Sequence, residues 1–72
     1  MEITLIATPK VIDWKINVTY NGINYTMVAV SIGSAITHMA CHYEHRKAWL
    51  KLTIGETEEI EKQVTETILK HI

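Results

Sequence analysis

The sequence is poor in the residues that staple, break or charge a chain. It holds one cysteine, one proline, three glycines and no phenylalanine in 72 residues. A lone Cys41 excludes an internal disulfide, and with it the cross-linked scaffolds that stabilise many small secreted domains. Gly22, Gly33 and Gly55 occur singly, so no glycine-rich loop cradles a phosphate. No apolar run approaches the roughly 20 residues of a membrane-spanning helix. The opening Met1-Glu2-Ile3 has no basic segment ahead of its apolar stretch, as a signal peptide would. Charge of one sign is also lacking: seven Lys and Arg stand against eight Asp and Glu, a net charge of −1. That balance argues against the basic excess that displaces counterions from DNA or RNA, and against a polybasic membrane-surface patch. The expectation is a cytoplasmic domain with no membrane association and no cofactor.

What is present describes a globular chain. Hydrophobic residues make up 47% and charged residues 21%, which suits a packed core and a single domain over residues 1–72. A core this small barely offsets the entropy of ordering the chain, and domains of this size usually add a disulfide, a metal or a second subunit. With the disulfide excluded, a homodimer is expected.

Ile12, Trp14, Ile16, Val18 and Tyr20 alternate with polar residues, the period of a half-buried strand. Asn21-Gly22 follows at once and favours the positive φ angles of a type I′ hairpin turn. Folding about that dipeptide pairs Tyr20 with Ile23, Val18 with Tyr25, Ile16 with Met27 and Trp14 with Ala29, all apolar. The opposite face pairs Thr19 with Asn24 and Asn17 with Thr26, then turns apolar through Val28, Val30 and the Val11–Ile32 pair, and that open end needs cover. Residues 2–7 read as a first strand stopped by Pro9. The prediction is an α+β fold: an antiparallel meander over about 2–7, 11–20 and 23–32, with a C-terminal amphipathic helix over about 57–71. Ile60, Val64, Ile68 and Ile72 recur at i+4 in that helix, Leu69 widens the stripe, and Gly55 or Thr57 starts it. The glutamate-rich remainder is its solvated face.

Residues 35–54 contain few turn signals. Ser34 as N-cap and the spacing of Ile36, Met39, Ala40 and Tyr43 favour a helix to about Arg46. Leu50, Leu52 and Ile54 alternate with Trp49, Lys51 and Thr53, which favours a following strand. The rival reading is a second hairpin, with Met39, Cys41 and Tyr43 on one face.

Chemistry concentrates in the same segment. His38, His42 and His45 fall at i, i+4 and i+7, a spacing at which helical imidazoles can reach one metal ion. A fourth ligand is missing, so a histidine-rich polar face is the simpler reading and no metal is expected; the cluster also suggests pH sensing. Cys41 beside His42 lacks a residue to orient the base and reads as an inert thiol. Tyr43, Arg46, Lys47, Trp49 and Lys51 form a locally basic, aromatic stretch. Such residues dominate protein-binding hot spots, and they can also stack bases and touch phosphates. The functional expectation is a non-catalytic protein-binding accessory domain, of the kind common in phages and mobile elements, in which case the cytoplasm is that of a host cell. The alternatives are a nucleic-acid-associated module using residues 43–51, or a metal-binding domain using His38, His42 and His45.

Overall fold

A computed structural model describes residues 1–7, 13–31 and 37–70. Four antiparallel strands lie in the order β1 (Glu2–Ala7), β2 (Asp13–Tyr20), β3 (Ile23–Ser31) and β4 (Thr37–Cys41). Two helices follow, α1 (Tyr43–Trp49) and α2 (Ile54–Leu69). The fold is α+β, an antiparallel meander with a C-terminal helix.

The hairpin forms in the register that its alternation predicts. Asn21 and Gly22 adopt φ angles of 51° and 77°, as a type I′ turn requires. Tyr20 then pairs Ile23, Val18 pairs Tyr25, Ile16 pairs Met27 and Trp14 pairs Ala29. Because side chains alternate across a strand, register builds one apolar face in rows. Ile3, Val18 and Tyr25 make one row, Leu5, Ile16, Met27 and Cys41 the next, and Trp14, Ala29 and Met39 a third. Ile60, Val64 and Ile68 of α2 are buried against these rows. Each large side chain so buried contributes roughly 1.5–3 kcal/mol. On the other face Thr4, Asn17 and Thr26 lie in one row, and Glu2, Thr19 and Asn24 in another; none is buried. The apolar end expected there begins at half-exposed Val28 and exposed Ala40. The Val11–Ile32 pair lies outside the described residues.

The central segment corrects the expected order. In place of a helix followed by a strand, residues 37–41 form β4 and residues 43–49 form α1. The reason is tertiary. The β3 backbone groups that do not bond β2 face outward, and β4 satisfies them from Thr37↔Ser31 to Cys41↔Met27. The rival hairpin reading correctly placed Met39 and Cys41 on one face, but its second strand, and the strand expected over residues 48–54, are absent. Helical spacing wins there because it turns His45, Ala48, Trp49 and Leu52 inward together, while Leu50 and Ile54, the expected strand face, are exposed. Residues 32–36, which include Ser34, lie outside the described residues.

The start of α2 also differs from expectation. Thr53, not Gly55 or Thr57, is the N-cap, and Thr53 and Glu56 form a reciprocal capping box. Glu56 N–H donates to Thr53 Oγ1 at 3.2 Å, and Thr53 N–H donates to Glu56 Oε1 at 3.0 Å. The second oxygen, Oε2, accepts from the Tyr20 hydroxyl at 2.7 Å, which ties the helix N-terminus to the end of β2. Leu69 does not widen the buried stripe, since it is 46% exposed. Ile72 lies outside the described residues.

This three-residue junction gives the fold a pH dependence with a defined sign. Hydrogen bonding from Thr53 N–H, then from Tyr20 and the Thr53 hydroxyl, holds the Glu56 carboxyl below its usual range. The same carboxylate raises Tyr20, with desolvation adding to it. A depressed carboxylate contributes stability above its unfolded value near 4.3, and that contribution is lost as pH falls through the folded value. A raised phenol contributes below its unfolded value near 10, and loses the contribution as pH rises through the folded value. Thermal melts at acidic pH are therefore expected to fall more steeply for the wild type than for Glu56→Gln. Identical acid limbs would contradict the junction.

Candidate protein-binding surface

The element that carries the candidate residues is too short to hold itself together, since isolated helices under about 12 residues are marginal in water. Packing fixes α1 instead. Trp49 meets Tyr25 edge-on with ring centroids 5.6 Å apart, and His45 meets the same ring at 6.4 Å. Tyr25 is fully buried, so α1 is anchored on the covered face of the sheet, beside the end of β4. His42 caps the helix: its Nδ1 accepts from Glu44 N–H at 3.4 Å, and its own N–H donates to the Thr26 carbonyl at 2.8 Å. Leu50 N–H donates to the Arg46 carbonyl at 2.9 Å. A tight turn through Lys51 and Leu52 then leads into Thr53.

These anchors divide α1 into two faces. His45, Ala48 and Trp49, with Leu52 beyond, are partly buried, whereas Tyr43, Arg46, Lys47 and Leu50 recur at i, i+3, i+4 and i+7 on the solvent side. Tyr43 is 81% exposed and Leu50 68%. Ile54, at the first position of α2, is 77% exposed. Of the five residues singled out from the sequence, Tyr43, Arg46 and Lys47 share the outer face and Lys51 is exposed in the turn below it. Trp49 stands apart from them, partly buried with its indole edge-on to Tyr25. The sequence reading missed Leu50 and Ile54, having assigned them to a strand. Leu50 lies at i+7 from Tyr43 and i+3 from Lys47, the helical spacing that was its available signal, whereas Ile54 begins a separate helix after the turn.

The histidines separate. His38 lies in β4 and His42 at the cap of α1, so the helical i, i+4, i+7 arrangement does not form. Among the described side chains His42 and His45 approach, with ring centroids 6.3 Å apart. Among the described residues no group of three His, Cys, Asp or Glu side chains converges as metal ligands would. Cys41 is half-buried in the row with Met27. Burial pushes its thiol up to about 11, with Arg46 pulling down and Glu61 pushing up, so at neutral pH it is not the thiolate that attacks carbon or binds metal. No helix among the described residues is long and apolar enough to cross a membrane.

The outer side of α1 and the turn after it thus expose apolar side chains together with cations. Arg46, Lys47 and Lys51 outnumber Glu44 around Tyr43 and Leu50, whereas the exposed side of α2 presents Glu58, Glu59, Glu61 and Glu66 against Lys62, with Lys70 at its C-cap. Tyr43 supplies an aromatic body with a polar tip, Leu50 and Ile54 an area that gains from leaving water, and the cations a preference for carboxylates. No known family, curated protein or solved structure matches the chain.

Proposed function

We propose that this chain is a small, non-catalytic accessory domain that binds a protein partner through the outer face of α1. The setting we favour is the host cytoplasm of a phage or mobile element, with the domain acting as a homodimer. The observation that carries the reading is the exposure of Tyr43 and Leu50 on a helix whose opposite face is committed to Tyr25. A monomeric protein gains nothing in stability from a tyrosine that is 81% exposed, and aromatic and arginine side chains are the usual anchors of interfaces. Charge complementarity selects a partner with a hydrophobic recess bordered by carboxylates. The same reasoning disfavours a nucleic acid, because the glutamates of the neighbouring helix repel phosphates.

Capture from a lysate of the encoding organism tests this, with the wild type and the double variant Tyr43→Ala/Leu50→Ala as parallel baits. Proteins retained by the wild type are expected to be lost by the variant, with affinity for the purified partner falling about 30-fold or more, the equivalent of a 2 kcal/mol hot spot. Both baits should melt alike. Equal capture by the two would contradict the reading. Retention of the wild type on single- or double-stranded DNA that weakens with salt would replace it by the nucleic-acid alternative.

A further inference from the structure

We propose that the open edge of β4 is the dimer contact: Thr37–Cys41 of one copy pairs antiparallel with Thr37–Cys41 of a second copy, about a two-fold axis at Met39. The proposal rests on the homodimer in the preceding reading and deepens it by placing the interface. Hydrogen-bonded positions recur at every second residue of an antiparallel ladder. His42 N–H bonds the Thr26 carbonyl at 2.8 Å, so the alternation gives Ala40 and His38 to β3. Thr37, Met39 and Cys41 are left with N–H and C=O groups directed at the outer edge, where β4 is the last strand of the sheet among the described residues. A two-fold at Met39 sets Met39 opposite its own copy and Thr37 opposite Cys41, and each facing pair can exchange both bonds.

The two edges of the sheet are not equivalent. Sheet edges are normally protected from pairing by charges, prolines or bulges. The outer strand β1 carries Glu2, and its register breaks between Leu5 and Ala7. The β4 strand, Thr37-His38-Met39-Ala40-Cys41, has no carboxylate, lysine, arginine or proline and an unbroken register. Two copies therefore meet at β4 without like charges opposing each other. Pairing of β1 to β4 would add chains without end, and the bulge in β1 works against it. A closed two-fold pair is what remains. Its formation would also continue the covered face across Met39 and Cys41, both only partly buried in one copy.

Sedimentation equilibrium across the micromolar range tests the placement, with Ala40→Lys as the edge-blocking variant and Thr4→Lys on β1 as control. Ala40 and Thr4 are both exposed, and circular dichroism verifies that each variant is folded. The wild type and Thr4→Lys are expected to be dimers, and Ala40→Lys to dissociate at a concentration at least tenfold higher. In a mixture of differently labelled wild-type chains, intermolecular NOEs should connect Met39 with Met39, which holds even where a variant fails to fold. A dimer that Ala40→Lys leaves intact, with no such NOE, overturns the β4 contact while the homodimer itself stands. A wild-type monomer overturns both. Neither result alters the effect of Tyr43→Ala/Leu50→Ala on partner capture, which is read separately.

Discussion

Tyr25→Ala is expected to destabilise the domain by about 3–5 kcal/mol, the range for truncating a buried aromatic side chain. Tyr25 is fully buried. It is also the one ring that both His45 and Trp49 contact edge-on, so its loss opens a cavity and removes the floor on which α1 rests. In domains of this size each kcal/mol moves the melting midpoint by about 4–8 °C. Small domains are held by only about 5–15 kcal/mol in total, so the variant should be largely unfolded at physiological temperature. Tyr43→Ala is the matched comparison: the same side chain is deleted from a position 81% exposed, and the change should stay within about 0.5 kcal/mol. Thermal melts followed by circular dichroism and by tryptophan fluorescence make the comparison. Similar midpoints for the two variants would mean that α1 is not held as described.

Val64→Asp is expected to cost roughly 4 kcal/mol or more at neutral pH. Val64 sits in the middle of the buried stripe of α2, between Ile60 and Ile68. A carboxylate there loses its water and gains no cation or hydrogen-bond donor from the apolar rows of the sheet. Val64→Thr separates polarity from shape. It keeps the volume and adds one hydroxyl, for which protein substitutions give about 1–3 kcal/mol. The order wild type, Val64→Thr, Val64→Asp in chemical denaturation is the expected outcome. A folded Val64→Asp with a wild-type midpoint would show that α2 does not lie on the sheet through this stripe.

The hairpin was readable because three independent signals agreed. The period-two pattern from Trp14 to Tyr20, the positive-φ preference of Asn21-Gly22 and the apolar pairing across the turn all named the same register, and a one-residue slip would have put every core residue in water. The helix α2 was readable for a similar reason, with Ile60, Val64 and Ile68 at i+4. Its beginning was misplaced because Gly55 looked like a boundary, although Thr53 and Glu56 already spelled a capping box. A glycine in the first helical turn is affordable when the box and Tyr20 hold that turn.

The central segment was not readable, and the cause is physical. Residues 35–54 hold apolar side chains that satisfy period two and period 3.6 at once. Met39 fits both, on a helical stripe with Ile36, Ala40 and Tyr43 or on a strand face with Cys41, and Leu50, Leu52 and Ile54 mimic a strand. The choice is made by something the local sequence does not contain, namely the unpaired outer side of β3. Once β4 takes that place, the chain leaves the sheet at His42, and the next apolar residues can reach Tyr25 only as a helix. The candidate site was legible in part for the same reason. Composition singles out Tyr43, Arg46, Lys47 and Lys51, which stand exposed, together with Trp49, which is partly buried against Tyr25. Leu50 and Ile54 were overlooked, because which face looks outward depends on the helix being there.

As proposed, α1 serves the fold with one face and a partner with the other. The most direct measurement is amide hydrogen exchange of the domain with and without the protein captured by the wild-type bait. Slowed exchange is expected over residues 43–51 and at Ile54, with Lys15, Asn17 and Thr19 on the far face of the sheet unchanged. Protection confined to that far face, with residues 43–51 exchanging as in the free domain, would contradict it.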